Sequence, residues 1–118
     1  MHARATWNGV VLAETARPVL LDGNVYFPPE DVRQEYLART RAWSLCVWKG
    51  VARYYTVHAD GQTNKKAAWF YPHPSPLARK IKNHVAFWNG VQVGLGTVST
   101  GVDGGTGAGP LLPQLPPN

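Results

Sequence analysis

The sequence predicts a small, mainly β domain in which short antiparallel strands are joined by tight turns. The turn signals are frequent and regularly spaced, and they are the dipeptides Asn8-Gly9, Asp22-Gly23, Asp60-Gly61 and Asn89-Gly90. Such pairs favour the positive φ angles that primed hairpin turns require. The segments between them are short and rich in β-branched and aromatic residues, which is typical of strands in antiparallel sheets.

Taken in chain order, this pattern predicts strands over Arg4–Trp7, Val10–Ala13, Val19–Leu21, Val25–Phe27, Val51–His58, Ala67–Tyr71, Val85–Trp88 and Val91–Val93. The tetrapeptide Trp-Asn-Gly-Val occurs at residues 7–10 and again at residues 88–91. We therefore expect the first and last hairpins to meet a similar structural demand and to pair at the closing edge of a sheet.

Two short helices are expected between these strands. The first spans residues 28–37, where two prolines precede Glu30 and Asp31, because proline and acidic residues favour a helix start. The second begins with Ser75 as its N-cap, is followed by a proline, and runs to Lys82. Its expected buried stripe is Leu77, Ala78 and Ile81.

The sequence reads as one domain at residues 1–93 followed by a tail at residues 94–118. All aromatic residues (five Trp, five Tyr and three Phe) lie between Trp7 and Trp88, so the core must be built there. The tail is rich in glycine and proline and carries one charged residue, Asp103. Such a segment buries too little apolar surface to offset the entropy of ordering it, so we predict that it is disordered.

The charge balance of residues 1–93 favours anionic partners. All 12 Lys and Arg residues of the chain lie there, against six of its seven acidic residues. An excess of positive charge attracts phosphorylated metabolites, carboxylates or nucleic acid, although it is also ordinary for a soluble small domain. The expected partner is a small molecule rather than nucleic acid or a membrane, and the expected state is a monomer or weak homodimer.

Several classes of site are not indicated by the residues. Cys46 is the one cysteine, which excludes an internal disulfide and a four-cysteine zinc site. The histidines and acids have no metal-ligand spacing, so neither a metal nor another cofactor is expected. No apolar run follows Met1 or approaches ~18 residues, which predicts no signal peptide, no membrane span and a cytoplasmic location.

The candidate pocket combines two aromatic segments, Cys46–Tyr54 and Ala67–Pro72. Side chains two apart in a strand share a face, so Cys46 would share a face with Trp48, and Trp69 would share one with Tyr71. Lys49 has the opposite parity, but the following glycine invites a bulge or turn that re-aims it. The strand at 51–58 carries aromatics on both faces, so we expect one face to be covered and the other to line a cleft.

The leading hypothesis is a domain that binds a small anionic or aromatic metabolite in this aromatic-lined pocket. Lys49 would hold an anionic group, Trp69 and Tyr54 would stack on an apolar part, and Tyr71 or His84 would orient the ligand by hydrogen bonds. The complete set of candidate ligand-binding residues is Tyr26, Cys46, Lys49, Tyr54, Trp69, Tyr71 and His84.

Two alternatives stay open at this stage. The first is an enzyme that uses Cys46 or Lys49 as nucleophile and His84 as base, although no catalytic motif is complete. The second is a nucleic-acid or protein interaction module, based on the Lys65-Lys66 pair before an aromatic strand and on the basic residues of the second helix. The three residues of the enzyme alternative also have plain structural interpretations. Lys49 would be an exposed lysine at a strand end, Cys46 an inert core cysteine and His84 a histidine at a helix end.

Five blocks of residues together resemble one known bacterial and fungal family. The blocks are Trp7–Gly9, Tyr26–Val32, Cys46–Tyr54, Ala67–Pro72 and His84–Phe87. In this order, across residues 5–93, they are similar to domain of unknown function 427 (DUF427), also labelled a nucleotidyltransferase domain. One departure is Val47, which stands where the family often has proline.

The resemblance implies a β-tent-like fold, in which small antiparallel sheets meet at an angle around a pocket. In many β-tent relatives, zinc bound by cysteine pairs holds the sheets together. This chain has one cysteine, so aromatic packing would have to hold its sheets together. The family brings no established activity. Its nucleotidyltransferase label is weakly supported by the residues, since magnesium-dependent phosphoryl transfer needs acidic ligands and no acidic pair accompanies the aromatic segments.

Overall fold

The computed structural model describes residues 1–96 and 111–112, and within them the mainly β fold is confirmed. The strands are β1 (His2–Trp7), β2 (Val10–Thr15), β3 (Val19–Leu21), β4 (Asn24–Tyr26), β5 (Leu37–Cys46), β6 (Gly50–Ala59), β7 (Gln62–Phe70), β8 (Val85–Phe87), β9 (Gln92–Gly96) and β10 (Leu111–Leu112). They form antiparallel sheets with the orders β10-β9-β1-β2, β3-β4 and β5-β6-β7-β8, called here the first, second and third sheets.

The third sheet separates two apolar clusters. On one face, Tyr55 and Phe70 stack with their ring centroids 4.9 Å apart and pack in the larger cluster with residues of the first sheet. On the other face, Tyr54 and Trp69 pack with Tyr26 of β4 in the second cluster. Both faces of β6 are therefore packed at Tyr54 and Tyr55, and the expected cleft is limited to a pocket that Arg53 lines beside them.

The predicted turns are confirmed. The first residue of each Asn-Gly or Asp-Gly pair has a positive φ, with values of 52° at Asn8, 54° at Asp22, 50° at Asp60 and 57° at Asn89. The expected pairing of the first and last strands is also found, because β1 pairs with β9. The two Trp-Asn-Gly-Val copies differ in role, since the first joins paired strands and the second leads from the third sheet to the first.

The first predicted helix is wrong in type. Residues 28–37 form two separate 3-10 turns, Pro29–Asp31 and Gln34–Tyr36. Between them Val32 has extended angles (φ −107°, ψ 134°) and forms a β-bridge with Ala13 of β2. This β-branched side chain is buried in the larger cluster, and its burial outweighs the local preference for helix.

The second predicted helix is a 3-10 helix over Pro76–Ile81, and it is kinked at Ala78. Side chains three apart share a face in this tighter helix, so Ala78 and Ile81 are buried while Leu77, expected in the stripe, is exposed. Ser75 is not a side-chain cap, because its hydroxyl donates to the carbonyl of Trp48 at 2.6 Å instead.

Strand β5 is missing from the predicted strands, and only its last residue, Cys46, lies in a segment that the sequence analysis singled out. It forms an edge of the third sheet and pairs with β6. The chain then turns at residues 47–49, so Cys46 and Trp48 do not lie in one extended strand as expected: Cys46 is buried and Trp48 is partly exposed. Gly50, with φ +117°, permits this turn.

The chain beyond residue 93 is described in part. Residues 94–96 belong to β9, and Leu111–Leu112 pair with that strand as β10. The prediction of a disordered tail falls otherwise on residues 97–110 and 113–118, which lie outside the described residues. In the described part of the chain, no helix has the length and apolar character needed to span a membrane.

Gly50→Ala is expected to lower the free energy of unfolding by about 1–3 kcal/mol. A Cβ at Gly50 would meet the carbonyl oxygen of His73 at 3.2 Å, and φ is +117°. The matched control is Gly61→Ala, because Gly61 also has a positive φ but its Cβ would have no neighbour within 4 Å. Urea unfolding compares the two, and equal losses would show that the contact with His73 contributes nothing.

Candidate functional site

The side chain of Lys49 lies inside the protein. It projects inward from the turn between β5 and β6 and is 1% exposed. Its Nζ donates a hydrogen bond to Oδ2 of Asp22 at 2.6 Å, and the side chain of Asp22 is 52% exposed. A buried ammonium is thus neutralised by a carboxylate that lies at the surface.

Two aromatic rings enclose the same ammonium. Nζ of Lys49 lies 5.0 Å from the ring centroid of Trp48 and 6.0 Å from that of Tyr71. At these distances the negative faces of the rings attract a cation. We call Lys49, Asp22, Trp48 and Tyr71 the lysine cage. Its outer wall is Trp48, which is 38% exposed, and its inner wall is the fully buried Tyr71.

The turn that carries Lys49 is fixed by the segment after β7. The backbone N–H of Ser75 donates to the carbonyl of Lys49 at 2.9 Å, and the Ser75 hydroxyl binds the preceding carbonyl, that of Trp48. Gly50 packs against the backbone of His73 and Pro74. The position of the ammonium is therefore determined by backbone contacts and not by the side chain alone.

Beneath the cage lies the second apolar cluster, centred on Trp69. Its ring meets Tyr26 edge to face at 6.3 Å between centroids and Trp88 at 6.0 Å. The indole Nε1–H donates to the hydroxyl of Tyr26 at 3.4 Å. Tyr54 belongs to the same cluster, and its hydroxyl is 2.8 Å from that of Ser44. The aromatic residues thus form one packed layer.

Burial and charge act in opposite directions on the ionisable groups here. Burial lowers the pKa of Lys49, but the hydrogen bond to Asp22 and the neighbouring Tyr26 and Cys46 outweigh it and raise that pKa above its ordinary 10.5. Burial raises the pKa of Tyr26 and of Tyr71. At neutral pH the cage therefore holds a cation beside two neutral phenols.

Six of the seven candidate residues are brought together. They are Tyr26, Cys46, Lys49, Tyr54, Trp69 and Tyr71. His84 lies elsewhere: it is not a member of the second apolar cluster, and its Nδ1 is 2.9 Å from the carbonyl oxygen of Lys82. Among the described residues, no hydrogen bond joins His84 to Cys46 or Lys49.

Sequence reasoning missed Asp22. The Asp-Gly pair predicts only a turn, and the turn is indeed there. Yet Asp22 is the counterion of a lysine 27 positions further along the chain. The available signal was indirect: a lysine buried among aromatics needs an anionic partner, but nothing local to the sequence says which acid supplies it.

The structural interpretation expected from the sequence is wrong for Lys49 and agrees with the structure for Cys46. Lys49 is not an exposed strand-end lysine, while Cys46 is a buried free thiol, as an inert core cysteine would be. Within residues 1–96, no group of three or more His, Cys, Asp or Glu side chains is placed to hold a metal ion. What the arrangement offers chemically is a fixed, desolvated positive charge between aromatic faces, with one exposed carboxylate as its partner.

Comparison with known proteins agrees with the resemblance read from the five sequence blocks. The family model described as "Domain of unknown function (DUF427)", with the short label NTP_transf_9, matches residues 1–99. The matched range includes every member of the lysine cage. No curated protein matches the chain.

Proposed function

The chain belongs to the DUF427 family, whose function is unknown. From the geometry of the site we propose that the domain binds a small anionic metabolite with an aromatic part at the lysine cage. The observation that carries this proposal is the asymmetry of the Lys49–Asp22 pair, in which the ammonium is buried and the carboxylate is half exposed. The partner is a small molecule, and the domain acts as a monomer or weak homodimer in the cytoplasm.

Exchange of one anion for another is the binding step. A buried ammonium is costly without a counterion, so Lys49 needs an anion at all times. A carboxylate or phosphate of the ligand would take the position of the Asp22 carboxylate, which would then be hydrated at the surface. Asp22 lies in the tight turn of the two-stranded second sheet, so it can withdraw without breaking a strand pair of the larger sheets.

The aromatic part of the ligand would lie against Trp48. Its ring is partly exposed and already faces the ammonium, so a flat group bound there remains next to the charge. Trp69 is fully buried, with Tyr26 and Trp88 against its ring, and therefore supports the cage rather than stacking on a ligand. Tyr71 keeps its proton at neutral pH and is the candidate hydrogen-bond donor to the bound anion.

A thermal-shift panel on the full chain tests the proposal. The panel contains nucleotides, sugar phosphates, carboxylate metabolites and a short single-stranded DNA. A ligand at 100 times its Kd stabilises a protein by about 2.7 kcal/mol, and each kcal/mol raises the Tm of a domain this small by roughly 4–8 °C. We expect one class of anionic metabolite to raise the Tm by ~10 °C or more.

Variants then assign the ligand to the cage. Lys49→Met removes the ammonium but keeps the length of the side chain, and it should abolish the shift. Lys80→Ala removes an exposed lysine outside the cage and should leave the shift unchanged. A ligand that stabilises Lys49→Met as much as the unmodified chain would show that the cage is not its site, and the proposed function would then be wrong.

A further inference from the structure

We propose a second anion site, separate from the lysine cage, that takes a phosphate monoester carrying a flat aromatic group. It is a pocket of about 300 Å³ beside the face of the third sheet that carries Tyr55 and Phe70. Side chains of both charged and aromatic type line it, and we call it the arginine pocket. Its lining includes Arg39, Arg53, Phe70, His73 and Asn83.

Two arginines converge on this pocket because of strand register. Arg53 of β6 lies directly opposite Phe70 of β7, so the two side chains share a face of the sheet. Arg39 of β5 reaches the same ring, with its guanidinium carbon 5.6 Å from the ring centroid of Phe70. Arg39 lies directly opposite Tyr55 of β6, which is two residues from Arg53, so Arg39 and Arg53 are on the same face of the sheet.

Among the described residues, neither guanidinium group has an internal counterion. Within the part of the chain that the structure describes, the ion pairs involve His2, Arg4, Arg17 and Lys49, and neither Arg39 nor Arg53 takes part in one. Of the described residues that line the pocket, none is acidic. Two like charges beside one cavity repel each other, and an anion bound between them removes that repulsion. The lysine cage differs, because Asp22 already neutralises its charge.

The lining suits phosphate among the common anions. The planar fork of a guanidinium donates two parallel hydrogen bonds to a phosphate, and two such groups match its double charge. Beside them, His73 and Asn83 bring an imidazole and an amide to the same pocket. The segment that carries His73 is held in place by Gly50 and by the hydrogen bonds of Ser75 to the turn at Lys49. The backbone that carries His73 is therefore placed by the fold.

The aromatic part of the ligand follows from the surroundings of the arginines. The pocket is larger than a phosphate group alone requires, and Phe70 forms an apolar part of its lining. Next to it, Trp43 of β5 lies directly opposite Arg53 and is 64% exposed. An indole exposed beside a guanidinium offers a stacking surface to a flat group joined to the phosphate.

Calorimetric titration of the full chain with three probes tests this site: phenyl phosphate, inorganic phosphate and benzoate, at matched low ionic strength. We expect phenyl phosphate to bind at least tenfold more tightly than the other two. Arg53→Gln should weaken phenyl phosphate and inorganic phosphate alike, by about tenfold or more, as loss of charge-assisted hydrogen bonds does. Trp43→Ala should weaken phenyl phosphate alone. Arg79→Gln, which removes an exposed arginine outside the pocket, should change neither.

The outcomes separate this site from the lysine cage. If Lys49→Met leaves the affinity for phenyl phosphate unchanged while Arg53→Gln lowers it, the arginine pocket is the phosphate site. The reverse pattern would place the anion at the lysine cage and overturn the present proposal. Equal losses from Arg53→Gln and Arg79→Gln would also overturn it, because they would show an unspecific response to net charge.

Discussion

Trp69→Ala is expected to lower the free energy of unfolding by about 3–5 kcal/mol, because it removes the largest side chain of a closed core. Trp69 is fully buried, its ring contacts Tyr26 and Trp88, and its Nε1–H is bound to the hydroxyl of Tyr26. Alanine would leave a cavity between the second and third sheets. It would also deprive the buried Tyr26 hydroxyl of a donor.

Urea unfolding followed by circular dichroism measures this effect, and the chain supplies a matched control. Trp43→Ala removes the same side chain from an exposed position and should change the stability by less than about 0.5 kcal/mol. Native domains are stable by about 5–15 kcal/mol, so Trp69→Ala comes close to unfolding the protein. Trp69→Phe keeps part of the ring packing and should fall between the two. Equal stabilities for Trp69→Ala and Trp43→Ala would contradict the packed core described here.

The features that could be predicted from sequence are those that short segments determine. An Asn-Gly or Asp-Gly pair favours positive φ whatever surrounds it, and the pairs at Asn8, Asp22, Asp60 and Asn89 all adopt it. The strands next to these turns were predicted for the same reason, with ends displaced by a few residues. Strand β3, at Val19–Leu21, was predicted with its bounds unchanged.

The features that were missed depend on partners distant in the chain. The sequence of β5 mixes arginines with small and apolar residues and has no turn signal at either end, so only its pairing with β6 makes it a strand. The two predicted helical segments differ from the expectation in type, since both have 3-10 geometry. Val32 is drawn into a bridge with Ala13, and Ala78 and Ile81 are buried by a 3-10 geometry that the proline signals do not distinguish from an α-helix.

The candidate site shows the same division. Tyr26, Cys46, Tyr54, Trp69 and Tyr71 pack together because apolar segments of the second and third sheets meet at a shared core. Lys49 joins them through a turn and not through strand parity, and its counterion Asp22 comes from another sheet. His84 was included from its position before an aromatic strand, but its hydrogen bond is to the carbonyl of Lys82.

In the Lys49–Asp22 pair, we expect Asp22→Asn to lower the free energy of unfolding by more than Lys49→Met does. Asp22→Asn leaves a buried ammonium without its anion and is expected to cost about 3 kcal/mol. Lys49→Met removes the buried charge, keeps much of the side-chain volume and leaves Asp22 exposed to water, so it should cost less than about 1 kcal/mol. Urea unfolding at neutral pH compares the two variants, and equal costs would contradict the asymmetric burial of the pair.

The pH dependence of stability distinguishes the loss of the counterion from a loss of packing. In the unmodified protein the pKa of Lys49 is raised above 10.5, so its contribution is fully present below 10.5 and is lost as the pH rises through the raised value. In Asp22→Asn the lowering effect of burial, which is the largest single cause, remains, and the carboxylate charge that accepts the hydrogen bond of Lys49 is gone, so we expect the pKa of Lys49 to fall below 10.5. The unfolded chain then binds the proton more tightly than the folded one.

It follows that Asp22→Asn should gain stability relative to the unmodified protein as the pH rises from neutral to about 10, whereas Lys49→Met should show no such gain. Parallel pH profiles for the unmodified chain and Asp22→Asn would mean that the ammonium is adequately hydrated without Asp22. The lysine cage would then have no need of an anion, and the anion exchange on which the proposed function rests would lose its driving force. If the stabilities of Asp22→Asn and the unmodified chain instead converge as the pH rises, the ammonium requires an anion, as binding of an anionic metabolite there demands.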